Sequence, residues 1–70
     1  MKKAKLDYIM DAKGCLNKIV AHDEATGKHL VDVLWDPTDD HTEENLEGFI
    51  EWAGRMLTRL GYEAEVQAPV

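Results

Sequence analysis

Between residues 6 and 35 the apolar positions recur largely at every second residue. Leu6, Tyr8 and Met10 fall at every second position, as do Ile19 with Ala21, and Val31 with Val33 and Trp35, while Ile9, Val20 and Leu34 interrupt the polar places between them. That period is the one a half-buried strand requires. Beyond Pro37 the spacing lengthens to three and four: Leu46, Phe49, Ile50, Ala53, Leu57 and Leu60 form a single helical stripe. Alternation returns at 62–68, where Tyr62, Ala64 and Val66 oppose Glu63, Glu65 and Gln67, and Pro69 ends the run. The pattern predicts strands and turns over 4–35, a helix over 40–60 and a last strand over 62–68.

Two glycine turns divide the first part into a meander. In 24-EATGK-28 a three-residue loop, Ala25 to Gly27, puts Gly27 at the left-handed position that closes a bulged hairpin. Glu24 then faces Lys28, Asp23 faces His29, Ala21 faces Val31 and Ile19 faces Val33, so that like meets like or charge meets countercharge. In 11-DAKGC-15 a two-residue Lys13-Gly14 loop sets Tyr8 against Ile19 and Leu6 against Ala21. One sheet face then carries Leu6, Tyr8, Met10, Ile19, Ala21, Val31, Val33 and Trp35, the face for the helix to cover. The fold class is α+β: a three-stranded antiparallel meander, one amphipathic helix packed on one face, and a short C-terminal strand, in the order β-β-β-α-β. A strand–helix–strand step places the last strand parallel to the third.

The opposite face is not cleanly polar. Ile9, Leu16, Val20, Leu30 and Leu34 fall there among Asp7, Lys18, His22 and Asp32. One helix cannot cover two faces, and five clustered aliphatics exceed what monomers usually expose. A two-fold homodimer would bury the patch twice; the competing outcome is scattered, singly exposed residues, which are common. The dimer is favoured because a core in a chain of 70 residues supplies only about 3–5 kcal/mol.

At the helix start, Asp36-Pro37 ends the third strand, and Asp39 or Asp40 can cap the helix, Asp40 with Glu43 as a capping box. Arg55 and Arg59 suit the C-terminal end, and Gly61 the C-cap. Gly54, beside the stripe, would permit close approach to the sheet. Gly48, on the outer face, has no role in the pattern.

Charge is unevenly spread. Residues 1–35 hold six lysines and five acids, whereas 36–70 hold two arginines and nine acids, within a total of −6. The second half has the wrong sign for binding nucleic acid. No run of about 20 apolar residues exists to span a membrane. Asp7 and Asp11 interrupt any signal-peptide core, and the lone Cys15 allows no internal disulfide, so the expected location is the cytoplasm.

The stretch 36-DPTDDHTEENLEGFIEW-52 concentrates the acids. It lacks the glycine and the alternate acids of a calcium loop. Cys15, His22, His29 and His41 lack the paired spacing of zinc ligands, and in the expected register His22 and His29 point to opposite faces. His29 should pair with Asp23, and His41 with acids of the first helical turn. Capping and the helix dipole account for Asp39, Asp40, Glu43 and in part Glu44; Glu51 can reach Arg55 at i,i+4. The dipole does not reach Glu47. Trp52, with Met56, Asn45 and Arg59, lies on an outer strip, and tryptophan and arginine favour protein interfaces. The bland alternative is a tryptophan packed over the sheet edge. Cys15 has no neighbouring base to activate it, and neither a phosphate loop nor a nucleophile elbow is present.

The element order, with an acidic helix of the TEENLEGFIEW kind, resembles the N-terminal domain of HicB-type antitoxins. The Pro-Asp-Leu-Pro-Gly segment between early strands and the DNA-binding tail have no counterpart, so no residue or function is carried over. The expectation is a small acidic interaction protein, not an enzyme, with no cofactor and no metal. It would dock a basic protein partner through Asp39, Asp40, Glu43, Glu44, Glu47, Trp52, Met56 and Arg59, and dimerise through the uncovered face. The alternatives are a nucleic-acid-mimicking inhibitor from a mobile element and a small divalent-metal-binding protein or enzyme.

Overall fold

The computed structural model describes residues 2–64 and 66. Three antiparallel strands, β1 (Lys2–Met10), β2 (Leu16–Asp23) and β3 (His29–Leu34), precede a helix, α1 (Glu43–Arg59), and a two-residue strand, β4 (Tyr62–Glu63). The sheet order is β3-β2-β1-β4, an α+β arrangement with a meander and one covering helix.

The interior register follows the apolar alternation. Tyr8 lies opposite Ile19, Leu6 opposite Ala21, Ile19 opposite Val33 and Ala21 opposite Val31. Each hairpin loop, however, is one residue longer than its sequence suggests, and a bulge absorbs the difference. In the first, the Asp11 N–H donates to the Cys15 carbonyl at 2.8 Å, leaving a three-residue loop, and the register slips between Ile9 and Met10. The Asp11 carboxylate holds this loop by accepting from the Lys13 and Cys15 N–H groups. In the second, the Asp23 N–H donates to the Lys28 carbonyl, so the loop runs over four residues with Gly27 at φ +75°, and the register slips between Ala21 and His22.

The bulges redistribute side chains, because a one-residue slip turns a strand over. Leu16 leaves the open face and becomes core, 4 % exposed and packed with Ile19, Val33 and Ala53. Met10, expected on the covered face, is exposed at the end of its strand. His22 comes opposite His29, and their rings meet edge to face at 5.6 Å; the opposite-face expectation fails for that reason. Asp23 does not pair with His29. It is buried, and its carboxylate accepts from the N–H groups of Ala25 and Thr26 and from the Tyr62 hydroxyl at 2.8 Å. His29 contacts Asp32 instead, at 2.7 Å.

Ile19, Val33 and Leu57 are the largest fully buried side chains, each contributing about 1.5–3 kcal/mol. Leu46, Phe49, Ile50 and Met56 pack against the cluster from α1, while Leu60 is exposed at the helix end. No neighbouring atom lies within 4 Å of a Cβ built on Gly54, so it does not serve close approach to the sheet.

β4 pairs with β1, in parallel, Lys2 opposite Tyr62 and Lys3 opposite Glu63. The last strand thus runs parallel to the third, as the crossover predicts, but the chain crosses over β2 and β1 to reach the far edge of the sheet, where the Tyr62–Asp23 hydrogen bond helps hold it. Among the described residues strand pairing ends at Glu63; the expectation for Glu65, Gln67 and Ala68 lies outside the described residues. Among the described residues no helix is long and apolar enough to cross a membrane.

Candidate protein-docking groove

Local chemistry around Pro37 builds one wall of a groove. Asp36 and Pro37 start a tight turn: the Asp36 side chain accepts from the Thr38 N–H and hydroxyl, and its carbonyl accepts from the Asp39 N–H at 3.0 Å. The Thr38 N–H foremost holds the Asp36 carboxyl below the usual aspartate range. The turn returns the chain over Trp35, whose indole N–H donates to the Asp39 carbonyl at 3.1 Å. Trp35 stacks on His41 at 4.6 Å and packs at 5.1 Å on Phe49. His41 therefore faces Trp35 and the Leu16 carbonyl, not the first-turn acids.

Helix α1 supplies the other wall. Its N-cap is Thr42, not Asp39 or Asp40: the Thr42 hydroxyl accepts the Asn45 N–H at 3.1 Å. The Asn45 side chain donates to the Asp40 carbonyl at 2.8 Å, clipping the turn to the helix. Only Glu43 and Glu44 lie in the first turn, where the dipole favours acids.

Between these walls is an open groove of about 670 Å³, lined by Leu34, Trp35, Asp36, Asp39, Glu44, Asn45, Glu47, Gly48, Phe49, Glu51 and Trp52. Five of these side chains are carboxylates and none is basic. Asp36 is occupied by its own turn, and Glu51 accepts from Arg55. Among the described residues no ion pair or side-chain hydrogen bond reaches the carboxylates of Asp39, Glu44 or Glu47. Trp52 is 52 % exposed and Leu34 67 %. A Cβ on Gly48 would meet nothing within 4 Å, so the glycine leaves the groove floor open one helical turn before Trp52.

The structure brings Asp39, Glu44, Glu47 and Trp52 together in this lining. Asp40 and Glu43 are exposed beside the groove without lining it. Met56 is half-buried against the core cluster and does not line the groove, and Arg59 is exposed in the last helical turn, away from the groove. Trp35, Asp36, Gly48, Phe49 and Glu51 were not assigned to the site. The outward Gly48, four residues before Trp52, was the available signal. Of the five residues assigned to a dimer face, Leu16 is core, while Val20 and Leu30 are half-buried. Ile9 and Leu34 are exposed, and the pairings of Ile9 with Lys18 and Val20 with Asp32 intersperse charge among them. Among the described residues no group of three or more His, Cys, Asp or Glu side chains is arranged to hold a metal ion.

Compared with protein families, curated proteins and solved structures, the chain matches none. The resemblance to HicB-type antitoxin domains is therefore one of element order, and no residue's role is taken from it.

Proposed function

We propose that the protein is a small interaction module that docks a basic polypeptide segment in the groove between the end of β3 and α1. The carrying observation is the lining itself: five carboxylates, three aromatic side chains and no basic group. Lysine or arginine entering it gains charge-assisted hydrogen bonds to the carboxylates of Asp39, Glu44 and Glu47, which have no partner among the described residues. The apolar part of the incoming segment covers Trp52, an exposed anchor of the kind that dominates binding energy in interfaces. Local acidity also raises the encounter rate with basic partners at low salt.

Selection from a displayed library of random short segments, with the whole chain immobilised, tests this. The expected enrichment is of segments with two or more Lys or Arg flanking an aromatic or aliphatic residue, lost with Trp52→Ala and with Glu47→Lys. No enrichment, or enrichment that survives both substitutions, overturns it.

A second reading concerns self-association. Ile9, Val20 and Leu34 still lie on the uncovered sheet face, Ile9 39 % exposed. Light scattering after gel filtration decides it. A mass of two chains that falls to one in Leu34→Lys supports a dimer. A single-chain mass in the unchanged protein rejects it and leaves the groove unaffected.

A further inference from the structure

The free edge of the sheet adjoins the groove. Among the described residues β3 has β2 on one side and no strand on the other. The Trp35 N–H donates inward, to the Asn17 carbonyl at 2.9 Å. Backbone groups in an antiparallel strand alternate between its two sides. Val31 and Val33 therefore share the inward direction of Trp35, and Asp32 and Leu34 turn their N–H and C=O groups to the open side. Leu34, Trp35 and Asp36 also form the groove wall opposite α1, so edge and groove meet.

From this juxtaposition we infer that the bound segment is extended and adds to β3 as a fifth strand, antiparallel or parallel, with alternate side chains entering the groove. The inference rests on the docking reading above and specifies its geometry. A strand set about 4.8 Å beyond β3 places every second side chain on the helix side of the sheet. Trp52, Glu44 and Glu47 lie there to receive a basic and apolar pair. Native edges are usually guarded by lysines, prolines or bulges. Here the bulge at Leu30 and the proline at 37 flank the exposed pair, and the strand itself carries no lysine; its one acid is Asp32. Two copies of this edge set side by side would bring acidic groove to acidic groove in a chain of net charge −6. A basic strand meets the opposite sign. The occupant is a basic segment of another protein.

Three synthetic probes of equal charge discriminate. One is a peptide of about eight residues, a usual strand length, in which Lys and Val take turns at every second position so that both enter the groove, with Thr at the positions between. The second is the same peptide with every backbone nitrogen methylated, which removes its donors and keeps its side chains. The third is a helix-forming Lys/Leu peptide. The plain peptide should bind about tenfold or more tighter than either of the others. It should also slow hydrogen exchange at the Asp32 and Leu34 amides of the intact protein. Equal binding by the methylated or helical peptide overturns strand addition and leaves the groove as a docking site. So does failure of all three probes while library-selected segments bind. If those segments fail as well, the docking reading falls with it. Slow exchange at the same amides without peptide, together with a doubled mass, also overturns the inference, because a second copy then occupies the edge.

Discussion

Gly48 and Gly54 separate what the helix needs from what the groove needs. Both lie inside α1, and at neither would a Cβ meet a neighbour within 4 Å. Replacing glycine by alanine in a helix interior gains about 0.8–1.0 kcal/mol when no clash intervenes. For a chain of 70 residues the unfolding entropy is about 0.15 kcal/mol per kelvin, so each substitution should raise Tm by about 5–7 °C. The two positions are six residues apart, about 9 Å along the axis, and the gains should nearly add. Binding should divide them. Gly48 lines the groove and Gly54 does not, so Gly48→Ala should weaken a library-selected basic segment while Gly54→Ala leaves its affinity unchanged. Gly48→Met, which fills more of the groove, should abolish binding and keep the higher Tm. Calorimetry and titration of the same preparations measure both quantities. A lower Tm in Gly48→Ala would refute the helix energetics. Equal affinities for Gly48→Met and the unchanged chain would refute the groove.

The remaining expectations are smaller in scope. Thr42→Ala should cost about 1 kcal/mol in chemical denaturation through loss of the N-cap, whereas Asp40→Ala, whose carboxylate caps nothing, should change stability little; the reverse order would reinstate Asp40 as the cap. Tyr62→Phe should lower Tm at pH 7. The Asp23 carboxyl is held below its ordinary value chiefly by the Tyr62 hydroxyl, and that hydroxyl is held above its own by Asp23. The stabilisation is therefore complete between the unfolded values, about 3.9 and 10. It is lost as pH falls through the folded aspartate value or rises through the folded tyrosine value. Melting curves of both proteins should converge at the acid and alkaline ends, and a constant difference across that range would reject the pairing.

What was legible in the sequence is what depends on period. The interior partners Tyr8–Ile19 and Ile19–Val33 follow from matching apolar alternation, and the helix from its stripe. Loop lengths were not legible, because Asp11 and Asp23 can close a turn of either length by accepting backbone N–H groups. Lengthening a loop by one residue and inserting a bulge leaves the interior pairs untouched. Only the residues beyond the bulge move, which is why Leu16 exchanged faces and His22 met His29. Capping is ambiguous in the sequence for a related reason. Asp39, Asp40 and Thr42 are all competent caps, and which one serves is set by the turn that folds the chain over Trp35. The acids at the groove were visible in composition. Their shared cavity depends on the placement of α1 across the sheet, which no local pattern encodes.

Glu47 shows why such a cluster has a cost within the isolated chain. On α1 it lies three residues after Glu44, four after Glu43 and four before Glu51, all like-charge neighbours on the helix surface. Each such pair destabilises by about 0.2–0.5 kcal/mol, so the three together cost about 0.6–1.5 kcal/mol. Arg55 relieves Glu51, and Glu47 has no comparable partner among the described residues. Glu47→Gln should therefore raise Tm by several degrees at low ionic strength, and the gain should shrink as added salt shortens the screening length from about 30 Å at 0.01 M to about 3 Å at 1 M. Salt should act with opposite signs on the two properties: it raises the Tm of the unchanged chain by relieving repulsion, and it weakens a bound basic segment by screening attraction. If Glu47→Gln melts lower than the unchanged chain at low salt, the carboxylate has a stabilising partner within the fold, and an unpaired acid can no longer be the reason the groove favours a cation.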